Sequence, residues 1–110
     1  MKLGCAPHIG IVHCKDSFYG QHEPQRMPVH DMLLQRWQAW KAAGCLASEM
    51  ESAAMFTIAS ALGVRAGTVL YCAGNQDAPE PPQAPITTLE HAIQTAIEAV
   101  RLLIQKDAQG

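Results

Sequence analysis

The sequence predicts an α/β protein with a largely parallel sheet, and three observations carry that prediction. Short apolar, β-branched runs alternate with helical patterns in the order strand, helix, strand, helix, strand, helix. The first and third runs read as strands covered on both faces, the mark of parallel sheets. The helical patterns close on glycines, at Gly44 and Gly63, where left-handed terminators belong.

Residues 8–14 (HIGIVHC) form the first strand and give way to a long polar connection over residues 15–29, with one Gly and two Pro. From residue 31 to 43, Leu33, Leu34, Trp37 and Trp40 recur at helical spacing. Residues 45–48 make a short apolar approach, and residues 53–62 a helix of small side chains, suited to lying close on a sheet. Residues 65–72 (RAGTVLYC) are the third predicted strand. The prolines of residues 73–85 exclude helix and central strand, leaving a stiff extended loop whose 79–85 portion has the position of a lid. The last helix opens on the capping box Thr87-x-x-Glu90 and carries Leu89, Ile93, Ala96, Ile97, Val100 and Ile104 on one side. Three strands are few for a sheet covered on both faces, so further strands are expected from upstream sequence or from another subunit.

Composition narrows the function classes. With 110 residues, of which 48% are apolar, the chain suits one domain with a packed core. A net charge of -2 without a basic cluster disfavours nucleic acid. No apolar run reaches the roughly 20 residues a bilayer needs, and Met1-Lys2 leads into no signal-peptide core, so a cytoplasmic protein is expected, without membrane partners. Cys5, Cys14, Cys45 and Cys72 form no CxxC pair and read as reduced, mostly buried thiols. The five histidines include no HxxxH pair, and His13 and Cys14 would point to opposite faces of a strand, so no metal site is expected.

Three constellations can carry chemistry. Residues 16–26 (DSFYGQHEPQR) place Phe18, Tyr19, Gln21 and Arg26 beyond a buried strand, on the side where open α/β sheets bind ligands. An aromatic face can stack on a flat heterocycle while the amide and guanidinium meet its carbonyl and N–H edge. The plain alternative is a surface loop with Phe18 and Tyr19 tucked into the core. Ser48-Glu49-Met50-Glu51 sets two carboxylates at a strand-to-helix switch. Ser48-x-x-Glu51 reads first as a capping box, and alternatively as a tract in which Glu51 bridges the vicinal diol of a sugar. Gly74-Asn75-Gln76 ends the third strand and, taken alone, signals only a turn.

Taken together, KDSFYGQ, SEMESAA and the GNQ turn, in this order and separation, resemble the uridine phosphorylases of the nucleoside phosphorylase superfamily, from about residue 8 to residue 104. The resemblance implies a three-layer α/β/α phosphorylase-type fold, of which residues 1–110 are a single partial domain from the carboxy-terminal part, with about three mostly parallel strands and three helices. It implies phosphorolysis of uridine to uracil and ribose 1-phosphate, a pentosyl transfer with phosphate as co-substrate and no other cofactor. Phe18 would stack near the uracil, Gln21 would bond its O2/N3 edge, and Arg26 its O4. Met50 would lie under the ribose, Glu51 would hold the 2′- and 3′-hydroxyls as the catalytic carboxylate, and Glu49 would support it. Asn75 stands where purine-specific relatives carry an Asp, which favours a pyrimidine. The family's phosphate loop and arginines belong to its amino-terminal half, so the chain alone is expected to be inactive, and the complete enzyme to be a homo-oligomer. The competing readings are a purine nucleoside phosphorylase or nucleosidase, and a non-catalytic truncated piece that docks into an oligomer.

Overall fold

The computed structural model describes residues 6–78 and 86–110. The chain divides into two compact units, one over Pro7–Ala66 and the other over Met1–Ala6 with Gly67–Gly110.

The first unit contains β1 (Val12–Cys14), α1 (Phe18–His22), a 3-10 turn (Pro24–Arg26), α2 (His30–Ala42), β2 (Ala47–Glu49) and α3 (Ser52–Leu62). β1 and β2 pair in parallel with Val12 opposite Ala47, His13 opposite Ser48 and Cys14 opposite Glu49. The ladder is prolonged at both ends, where the Leu46 amide donates to the Ile11 carbonyl and the Lys15 amide to the Glu49 carbonyl, each at 2.9 Å. This α/β arrangement bears out the fold class in its coarse form. The first strand is shorter than its apolar run, and it is half-buried, whereas cover on both faces was expected. Ile9 is 91% exposed, because a two-stranded pair offers its apolar residues too few neighbours.

Residues 15–29, expected as a long polar connection, contain a short helix and a 3-10 turn. Ser17 is the N-cap of α1, its Oγ accepting from the Gly20 amide at 3.0 Å. A Cβ on buried Gly20 would come within 2.9 Å of that Oγ, so the turn requires glycine's small size. α2 packs on both α1 and the 3-10 turn. Of its expected apolar positions, Leu33 and Trp37 are half-buried, while Leu34 and Trp40 are exposed. Trp40 lies against the His13 ring, with centroids 5.4 Å apart. Gly44, at φ 86°, ends the helix in the left-handed conformation foreseen for it.

α3 ends as expected on Gly63, with φ 67° and ψ 28°, and the amides of Gly63 and Val64 close its last turn onto Ser60 and Ala59. Nothing lies within 4 Å of a Cβ built there, so Gly63→Ala introduces backbone strain without a clash. A loss of about 1–2 kcal/mol is expected, with a smaller loss for Gly63→Asn. Equal thermal midpoints for wild type and Gly63→Ala would show that this cap contributes nothing.

Residues 65–72 are not a strand. Among the described residues the sheet has two strands, and residues 65–72 carry no strand of their own. A β-branched run favours extension, but a strand exists only where an edge accepts its hydrogen bonds. In the second unit α4 spans Ile86–Ala108, and Leu89, Ile93, Ile97, Val100 and Ile104 recur along one side, all exposed. The side chain of Thr87, and with it the capping box, lies outside the described residues, as do the 79–85 loop and Cys5. Cys14 and Cys45 are half-buried free thiols, whereas Cys72 is exposed, against the expectation of burial, on a segment that forms no strand. No described helix is long and apolar enough to cross a membrane.

Candidate nucleoside-binding site

The carboxyl ends of β1 and β2 lie side by side because the strands are parallel, so the segments that leave them meet. The join is made by Ser48. Its Oγ accepts from Gln21 Nε2 at 2.8 Å and from Lys15 Nζ at 3.2 Å. These bonds tie the end of β1 and helix α1 to the Ser48-Glu49-Met50-Glu51 tract.

The capping-box reading of Ser48 and Glu51 is corrected. Glu51 is the N-cap residue by backbone position, yet its side chain makes no cap bond. Glu49 does that work: its Oε2 accepts from the amides of Glu51 and Ser52, each at 2.7 Å. Burial of the Glu49 carboxyl would raise its pKa. The amides of Ser52 and Glu51 and the side chains of Cys14 and Ser52 outweigh that effect and hold it at about 2. Cys14 also receives the Ala53 amide at 3.4 Å, which fixes the helix start against β1. With Ser48 turned to Lys15 and Gln21, and Glu49 used as the cap, the Glu51 carboxylate stays exposed, accepting from the Met50 amide at 3.2 Å. Met50 is exposed beside it.

On the base side, Phe18 is 50% exposed, and one face of its ring is stacked by His22 at a centroid distance of 4.2 Å. Burial and the charge of Lys15 lower the His22 pKa, so that the stacked ring is neutral near pH 7. Tyr19 meets Phe18 edge to face at 5.3 Å. Both aromatics are half exposed and are not tucked into a core. A cavity of about 260 Å³ opens beside the loop between β1, α1 and α2, with Lys15, Gln21, Arg36, Trp37 and Trp40 in its wall.

Two other sequence candidates, Arg26 and Asn75, make contacts of their own. Arg26 follows α1 on the 3-10 turn, pairs with Glu23 Oε2 at 2.5 Å and is 72% exposed. Asn75 belongs to the second unit, where its Oδ1 accepts from the Asp77 amide at 3.0 Å and its carbonyl from the Ala78 amide at 3.1 Å, a side-chain-supported turn. Among the described residues no three His, Cys, Asp or Glu side chains converge as a metal site would require. Sequence reasoning missed Lys15 and the role of Ser48. The available signal was a lysine directly after an apolar strand, at the ligand end of a parallel sheet.

Comparison with known proteins defines the class. The family model described as phosphorylase superfamily matches residues 2–105, and the chain belongs to that superfamily. Among its relatives is the uridine phosphorylase of Treponema pallidum (strain Nichols), 51% identical over 102 residues, which are 91% of this chain and 40% of the relative. The uridine phosphorylase of Klebsiella aerogenes is 33% identical over 108 residues, 94% of this chain and 43% of the relative. A DeoD-type purine nucleoside phosphorylase of Clostridium beijerinckii matches at 34% over 70 residues, 64% of this chain and 25% of the relative. The chain thus spans about two fifths of the length of the uridine phosphorylases it matches.

Proposed function

We propose that this chain carries the nucleoside-binding half of a uridine phosphorylase site. The supporting observation is the Gln21–Ser48 hydrogen bond at 2.8 Å, which joins the base loop directly to the carboxylate tract. In this reading Phe18 offers its remaining face to uracil, and Gln21 and Arg26 serve its polar edge, Arg26 exchanging Glu23 for the base. Asn75 completes the base contacts, Met50 lies under the ribose, and Glu51 accepts its vicinal hydroxyls while Glu49 holds the tract in place. The complete enzyme is a cytoplasmic homo-oligomer of three-layer α/β/α fold, with phosphate as co-substrate and no further cofactor.

The chemistry asks for this division. As a phosphate oxygen bonds to C1′, the glycosidic electron pair leaves with N1 of the base, so positive charge builds on the ribose and negative charge on the pyrimidine. A carboxylate beside the sugar and donors at the base oxygens stabilise both. The uridine-phosphorylase matches cover 91% and 94% of the chain against 64% for the purine enzyme, which favours the pyrimidine reading.

The test is to assay the chain alone and after co-expression with the remaining portion of the Treponema pallidum relative. Negligible turnover is expected alone, and in the complemented enzyme a preference of about tenfold or more for uridine over inosine. A preference for inosine would replace this reading with the purine one, and uridine turnover by the chain alone would refute an external phosphate site.

A further inference from the structure

Lys15 is a charged side chain left 9% exposed. Its ammonium donates to Ser48 Oγ at 3.2 Å and lies 5.9 Å from the centroid of the Phe18 ring. Among the described residues it forms no ion pair with a carboxylate: Asp16 shares the cavity wall, but it is exposed and makes no salt bridge to Lys15. An ammonium carries three donors, and a neutral hydroxyl and an aromatic ring compensate poorly for the lost hydration of a cation. Structural lysines in such positions are paired. A buried cation with donors to spare, in the wall of a cavity, is instead suited to an anionic ligand.

The ammonium also shares its acceptor with Gln21, so the two donors converge on one hydroxyl at the junction of the base loop and the sugar tract. Resting on the uridine phosphorylase reading, we propose that Lys15 is a substrate-touching residue of the base subsite, its ammonium taking up the negative charge that the pyrimidine gains as the glycosidic bond breaks. The electron pair of the C1′–N1 bond delocalises from N1 onto the ring oxygens. The charge-assisted bond from Lys15 holds it there until a solvent proton reaches N1. Other titratable or charged groups around the ammonium are His13 and Cys14 on β1, Asp16, His22 on α1 and Arg36 on α2. Arg36 adds a second cation to the cavity wall.

A cation matched to the departing pyrimidine binds the pyrimidine anion better than the neutral ring. The two tryptophans of the chain, Trp37 and Trp40, both line the cavity, so their fluorescence reports occupancy. The full chain is titrated with uracil and with 5-fluorouracil at one mildly alkaline pH, where the electron-withdrawing fluorine makes the second ligand more anionic. Wild type is expected to favour 5-fluorouracil by roughly tenfold, one charge-assisted bond's worth. Lys15→Met and Lys15→Gln are expected to lose that preference while still binding uracil, and Lys15→Arg to keep it. Far-UV circular dichroism identifies which neutral variants fold, and either suffices. Saturable binding of both ligands with no preference in wild type, or with a preference that persists without the lysine, overturns the role of Lys15 and leaves the base site standing. Absence of saturable binding by wild type to either pyrimidine overturns the base-site reading, and this inference with it.

Discussion

Glu51→Gln, in the enzyme completed by the remaining portion of the Treponema pallidum relative, is expected to lower kcat/KM for uridine by about a hundredfold or more. The figure follows from losing about 3 kcal/mol of charge-assisted hydrogen bonding to two hydroxyls. Glutamine keeps one acceptor oxygen but replaces the other with a donor, so one hydroxyl of the diol loses its partner and the ribose loses the negative charge that complements its developing positive charge. The structure makes this a clean substitution, because the Glu51 side chain makes no cap bond and the carboxylate is exposed. Stability should therefore change little while turnover falls. Glu90→Gln, an exposed carboxylate on α4, is the control and should stay within about twofold of wild type, as most surface changes do. Equal rates for the two variants in steady-state phosphorolysis would remove Glu51 from the site.

The sequence pattern could not separate Glu49 from Glu51, since both lie within a turn of the helix start and either can receive its amides. Rotation about the strand-to-helix switch decides it, and that is set by pairing. Glu49 is the last residue of β2, opposite Cys14, and from there its carboxylate reaches the amides of Glu51 and Ser52. Register is a relation between distant segments, so periodicity within one segment does not contain it. The same distinction explains the other outcomes. α2 and α3 were legible because a helix satisfies its own backbone and ends on a local signal, here Gly44 and Gly63. The third strand was not, because residues 65–72 have the composition of a strand, yet strand formation depends on pairing with a distant segment, which composition does not contain. α1 was overlooked because five residues containing a glycine carry no period, although Ser17 was readable as its cap. Of the site, the residue types were legible in the motifs. The use of Ser48 as the acceptor shared by Lys15 and Gln21 required the fold.

If Glu49 is the cap, its removal should weaken the fold and change its response to acid. Glu49→Gln replaces a carboxylate that receives two backbone amides at 2.7 Å with a neutral group, and a destabilisation of about 1–2 kcal/mol near neutral pH is expected. The acid response follows from linkage. The Glu49 pKa is lowered from 4.5 to about 2 in the folded chain, so the unfolded chain binds more protons between those values. The stabilisation is fully present above the unfolded value and is lost as the pH falls through the folded one. Wild type should therefore lose stability across that window more steeply than Glu49→Gln, which has no proton to take up at this position, and the two should converge in acid. Urea melts of both chains near neutral pH and near pH 3 measure the difference, and amide exchange at Glu51 and Ser52 localises it, since those two N–H groups lose their acceptor. Parallel loss of stability in the two chains, with unchanged exchange at both amides, would mean that the α3 terminus is held by something other than Glu49.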